Sequence, residues 1–178
     1  MSLLKVDTIQ GRSGTNISLT DGHTLEGTIS EVDRWVLTSD LTSSANPITS
    51  NLSRPSTPLT GSKIGTGMTV SSGIWTFPTT GHWYVQMNAN VQFSNYASGF
   101  IYIYVTANNG TDWTLTSLRQ GQGQTNYDKA NLVADAFLDI TDTSNHKVYF
   151  KFYDEGNATL AGDSVESTNF TFIRLGDT

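Results

Sequence analysis

The chain has no cysteine, only four prolines, and no apolar run long enough to cross a bilayer. Without cysteine there is no disulfide scaffold, no thiolate metal site and no thiol nucleophile. Without about 20 consecutive apolar residues there is no membrane-spanning helix, and no membrane partner is expected. The opening MSLLKVDTIQ reaches Lys5 and Asp7 too early for a signal peptide, so none is expected. Basic residues are scarce: ten Lys plus Arg stand against sixteen Asp plus Glu, a net charge of −6. Such a chain repels phosphate and is a poor partner for nucleic acid.

Thr, Ser and Asn together supply 58 of the 178 residues. Thr suits a pleated surface, Ser and Asn suit turns, and all three are weak in helix interiors. The expectation is an all-β protein. Residues 1–31 hold short alternating pieces with few apolar side chains, among them Leu3, Leu4, Val6, Ile9, Ile17 and Leu19. They cannot bury a core alone, so the segment is either disordered or an extended arm lying against a neighbour. Its strand-like alternation favours the arm. Residues 32–178 read as the head: a first strand around Trp35 and a Pro/Ser/Thr-rich loop over 32–63, then core strands over 64–178. Candidate strands are 68–77, 81–94, 99–107, 112–119, 131–140, 147–154 and 168–175, a spacing that indicates a β-sandwich.

Strand faces carry the functional signal. In 82–93 one face is Trp83, Val85, Met87, Ala89, Val91 and Phe93, and the other is polar apart from Tyr84. FIYIYV, KVYFKFYD and NFTFIRL instead have apolar or aromatic residues on both faces. A solitary sandwich needs one apolar face per strand, so the second faces are expected to meet other copies. A homotrimer buried through Tyr84, Tyr102, Tyr104, Tyr149, Tyr153, Phe170 and Phe172 is the resulting expectation.

Catalytic and metal signatures do not emerge. His23, His82 and His146 are isolated, and no GxSxG elbow or phosphate loop occurs. Acidic pairs fall in turns. Asp139, Asp142 and Asn145 are the best remaining candidates for a weak calcium site, but they lack the spacing of a calcium loop. No enzyme activity and no cofactor are expected.

The order of motifs from 73 to 178 resembles the jelly roll of the tumour necrosis factor and complement globular-head superfamily. The carrying residues are GIWTFPTTGHWYVQMNANVQF, IYIYVTANNG, LVADAFLDITDTSNHKVYFKFYDE and STNFTFIRLGD. The resemblance implies a ten-strand, two-sheet jelly roll that trimerises about a three-fold axis. By it, Tyr84, Tyr149, Tyr153 and Phe170 or Phe172 lie on strands facing that axis. LLKVDTIQGRSGTNISLTDGHTLEG and DRWVLTSD…PITSNLSRP…SKIGTGMTVSSGIWTFPTTG also look like segments of virion proteins from marine tailed bacteriophages. That second resemblance implies a phage structural protein on the virion surface, either a capsid decoration protein held by its arm or a fibre component. Its partners would be two further copies and capsid or tail proteins. The rival expectation is a tail-fibre or receptor-binding head that stacks host surface glycans on Trp113, and a polysaccharide hydrolase is a more distant one.

Overall fold

The computed structural model describes residues 29–56, 61–125, 128–163 and 167–178. Twelve strands occur among them: β1 Val32–Leu37, β2 Leu52–Ser53, β3 Lys63–Ile64, β4 Thr69–Ser71, β5 Ile74–Thr76, β6 Gly81–Phe93, β7 Ala97–Thr106, β8 Thr114–Gly123, β9 Lys129–Ile140, β10 Lys147–Glu155, β11 Ala158–Leu160 and β12 Asn169–Gly176. No helix among the described residues is long and apolar enough to cross a membrane.

All strand pairs are antiparallel and form two sheets. In the seven-stranded sheet β6 is flanked along its length by β9, while β12 and β11 share its other edge. β12 leads on to β1, which pairs with β2 and β3. The five-stranded sheet runs β4-β5-β10-β7-β8. The two sheets pack face to face as a jelly-roll β-sandwich, the sandwich that the strand pattern predicts and the jelly roll that the resemblance implies.

Alternation decides which residues enter the core. The even-spaced face of β6, from Trp83 to Phe93, is buried throughout, and β7 and β10 contribute Ile101, Ile103, Val148, Phe150 and Phe152 from the opposite sheet. Trp75 sits at the centre, within 5.0–6.0 Å of the rings of Trp35, Phe150, Phe170 and Phe172. Each fully buried ring of this kind contributes about 1.5–3 kcal/mol relative to exposure. Phe170 and Phe172 therefore face inward with no exposed surface, which corrects the expectation that they meet another copy. Both faces of NFTFIRL are apolar, and the one that meets Trp75 and Phe150 is the core face.

Two expected strand limits also change. The run 68–77 is a hairpin, because Ser72 (φ 49°) and Gly73 (φ 77°) both take the left-handed region that a two-residue β-turn requires. β11 was not foreseen. Residues 38–50, expected as a loop, close the seam between the sheets: Leu41 bridges Leu160, Ala45 bridges Phe152, and Ile48 N donates to Phe150 O at 2.9 Å with its side chain buried.

Strand directions fix two ends. Ile29, the 77–80 turn, loops 107–113 and 141–146 and the C-terminus lie together. Arg174 links them by donating from Nε to Thr80 O and from Nη1 to Ser30 Oγ, and Asn109 N donates to Asn145 O. The turns 94–96 and 156–157, with residues 124–125 and 128, lie at the opposite end.

Candidate interaction surfaces

The two outward faces of the sandwich differ in chemistry. On the seven-stranded sheet, register places Phe137 of β9 opposite Tyr84 of β6, Tyr84 opposite Ile173 of β12, Ile173 opposite Val32 of β1, and Val32 opposite Ile64 of β3. Directly paired residues share a face. The result is one apolar row across five strands, about 19 Å at the usual spacing of adjacent strands. Its two ends are the most open, Phe137 at 63% and Ile64 at 54% exposure. His82 stacks on Phe137 with centroids 5.5 Å apart. Below the row the face turns polar: Gln86 donates to the Tyr84 hydroxyl at 2.8 Å, and Asn90 Nδ2 donates to Asn131 Oδ1 at 3.1 Å. Val133 and Leu175 add further exposed apolar surface.

The five-stranded sheet carries an aromatic ladder. Phe100, Tyr102 and Tyr104 alternate outward along β7, their rings stacked at 6.3 and 6.1 Å. Tyr104 stacks on Tyr149 of β10 at 4.9 Å, and Tyr153 lies 5.8 Å from Phe100. Lys151 places its ammonium 4.7 Å from the Tyr102 ring. Burial is the main cause of the raised pKa of both Tyr102 and Tyr149, assisted by the neighbouring phenol of Tyr104, so these two phenols remain neutral where an ordinary tyrosine begins to ionise. Trp113 stands edge-on to Tyr149 at 4.6 Å, and a Cβ at Gly110 would meet its ring at 3.4 Å. Three of these contacts are stacked, so Phe100, Tyr102, Tyr104 and Tyr149 cover part of one another's ring faces.

These positions bear on the expected interface. Tyr84 lies on the outer face of the seven-stranded sheet, whereas Tyr102, Tyr104, Tyr149 and Tyr153 lie on the outer face of the five-stranded one. Phe170 and Phe172 lie between the sheets. One continuous patch cannot hold all seven, because the sandwich separates them. Phe137, Val133 and Ile64 escaped the sequence reading, since none stands out in its own strand and only register brings Phe137 and Ile64 into line with Ile173. The arm residues Leu3, Leu4, Val6, Ile9, Ile17 and Leu19, with His23, lie outside the described residues. Glu31, at the end of the stretch read as arm, is bound into the head: its carboxylate accepts from Thr66 N and Gly67 N at 3.0 and 2.9 Å, and its carbonyl accepts from Arg174 N.

The acidic turns are structural caps. Asp142 accepts from Ser144 N and Asn145 Nδ2 at 2.8 and 2.7 Å, bonds that lower its pKa. Asp128 accepts from Gln124 N, Thr125 N and Thr125 Oγ1 at 2.7–2.9 Å, with the same effect. Among the described residues no three His, Asp or Glu side chains converge as metal ligands. Asp139 lies 3.8 Å from His82 Nδ1, on the sheet face beside the Asp142 turn.

Two antiparallel sheets joined in this order are a jelly roll of the tumour-necrosis-factor type. Among solved structures, that of Eiger TNF from S. frugiperda is similar at a TM-score of 0.53 and 12% identity, covering 86% of this chain and 90% of that one. At that identity the likeness is one of fold. No family profile and no curated protein matches the chain.

Proposed function

We propose that the chain is a non-enzymatic structural protein of a tailed-bacteriophage virion, a homotrimeric capsid decoration protein held to the particle by its N-terminal residues. The observation that carries the trimer is the apolar row Phe137–Tyr84–Ile173–Val32–Ile64. A self-associating surface that repeats about one axis needs one apolar patch per copy, and this row, extended by the exposed Val133 and Leu175, supplies it. The virion position rests on the resemblance of residues 3–27 and of segments within 33–81 to phage virion proteins. The acidic charge suits crowding on a particle, because like-charged heads repel rather than aggregate. Such a protein works mechanically: each arm adds contacts to the shell, and three linked arms bind far more tightly than one. A tail-fibre or receptor-binding head recognising host glycans is the second reading, since it needs the same trimer and the molecule has a polar-lined cavity at the end far from Ile29.

Light scattering on the full chain at micromolar concentration tests the assembly, and a reconstruction of the whole particle tests the position. The expected results are a mass of three copies and head-shaped density at three-fold or quasi-three-fold capsid positions. A single-copy mass overturns the trimer, and density confined to the tail favours the fibre.

A further inference from the structure

The end of the sandwich farthest from Ile29 contains a cavity of about 350 Å³, lined chiefly by Tyr96, Ser98, Gln122, Gln124 and Glu155. Its construction follows from register. Ser98 of β7 lies opposite Gln122 of β8 on one side and Glu155 of β10 on the other, so an amide, a hydroxyl and a carboxylate form one row across three strands. The sheet is thin here because three glycines carry no side chain where the layers converge. A Cβ at Gly99 would meet Val91 at 2.6 Å, one at Gly121 would meet Ala130 at 2.9 Å, and one at Gly123 would run into Phe93.

The rim is held in place before any ligand arrives. Asp128 fixes the backbone N–H groups of Gln124 and Thr125 with two hydrogen bonds and accepts a third from Thr125 Oγ1, and Ser94 N donates to Asn157 O at 3.1 Å, tying turn 94–96 to turn 156–157. Asn95 takes a left-handed φ of 63° and turns the chain so that Tyr96 stands 85% exposed beside the row. Among the described residues, the side chains of Tyr96, Ser98, Gln122, Gln124 and Glu155 hydrogen-bond to no protein group, so their donors and acceptors are open to a ligand. The backbone that carries these groups is already held, so binding has to order only their side chains.

We propose that this cavity binds a neutral saccharide unit. Its size falls at the small end of ligand sites, which span about 300–1,000 Å³, and suits one ring rather than an extended cofactor. Two amides and a hydroxyl each both donate and accept, and a carboxylate accepts from two adjacent donors, which matches the vicinal hydroxyls of a sugar. The Tyr96 ring offers an apolar face for the C–H side of a pyranose. Among the described residues no Lys or Arg lines the cavity, so none there offers an anion a counter-charge, and Glu155 opposes it. One carboxylate without further acidic ligands is a poor cation site. All the lining residues belong to one copy, so this binding depends on neither the trimer nor the place on the virion.

Saturation-transfer NMR on the full chain, with glucose, galactose, N-acetylglucosamine and maltotriose at millimolar concentration, tests the proposal. At least one of these probes should receive saturation. Tyr96→Ala and Gln122→Ala should each weaken that binding about tenfold or more, equivalent to about 1.4 kcal/mol, while Trp113→Ala leaves it unchanged. Both key positions are on the surface, so circular dichroism should match the parent protein. The proposal is overturned if none of the four probes receives saturation, if the signal survives both substitutions, or if N-acetylneuraminic acid binds more tightly than every neutral probe. A protein that binds sugar as a single copy would overturn the trimer and leave this site standing.

Discussion

Asp33 carries a carboxylate into the interior, where its residue is 0% exposed, and four donors meet it there. Arg54 gives Nε and Nη2 at 2.8 and 2.7 Å, Trp35 gives Nε1 at 2.9 Å, and Met68 gives its backbone N–H at 2.6 Å. The same Arg54 lies over the Trp35 ring at 4.4 Å and donates to Met68 O, and its hydrogen bonding to Asp33 raises its own pKa. One side chain thus joins β1, the strand-like 52–54 segment and the 65–68 loop. Gly67 (φ 76°) allows that loop to pass close to the carboxylate, with a Cβ there meeting Asp33 Oδ2 at 2.8 Å. Removing one member of a buried charge pair costs about 3–5 kcal/mol, and partial exposure of Arg54 places this pair at the lower end. Asp33→Ala is therefore expected to lower unfolding stability by about 3 kcal/mol in urea melts at fixed protein concentration. A change under about 0.5 kcal/mol, the range of ordinary surface substitutions, would show that the clasp contributes nothing. The sequence shows an apolar strand around Trp35 but not this clasp, because the partner that makes a buried Asp tolerable stands 21 residues away in a segment that reads as loop.

At the level of strands, period two was enough to place 82–93 correctly, since only one face of β6 is apolar. It was not enough for β12. Phe170 and Phe172 on one side and Ile173 and Leu175 on the other are equally credible core faces until Trp75 and Phe150 are known to lie opposite. The same limit hid Phe137, whose significance comes from Tyr84 on the next strand rather than from its neighbours in LVADAFLDI. Tyrosine content pointed to the five-stranded sheet, yet those rings already stack on each other, whereas the row on the seven-stranded sheet leaves ring and aliphatic surface uncovered. An interface on that row makes Phe137→Glu disruptive, because each copy would bury an unpaired carboxylate. The expected result is dissociation to single copies by light scattering at micromolar concentration, with the assembly constant weakened about 100-fold or more. Tyr153→Ser, on the far face, should leave the mass at three copies. The opposite pattern would move the contact to the aromatic ladder.

For the whole molecule, polarity matters more than shape. Ile29 and the chain's C-terminus sit at one end and the cavity beside Tyr96 at the other, so a head tethered through residues 1–28 would present that cavity outward. The cut that tests the tether is set by Glu31, whose carboxylate holds the 66–67 loop and whose carbonyl accepts from Arg174. Deleting residues 1–31 would remove this clasp and confuse loss of attachment with loss of folding. Deleting 1–28 keeps Glu31 and its hydrogen bonds to Thr66, Gly67 and Arg174. If the deleted residues serve only to attach, the shortened chain keeps its three-copy mass, because the row from Phe137 to Ile64 lies within the head. In co-sedimentation with particles stripped of the native protein, it is expected to lose binding by at least about 100-fold, since linked arms multiply one another's affinity. A shortened trimer that still decorates particles would place attachment on the head itself. A shortened chain that falls to single copies would make the N-terminal residues the trimerising element, and the apolar row would then lose its argument.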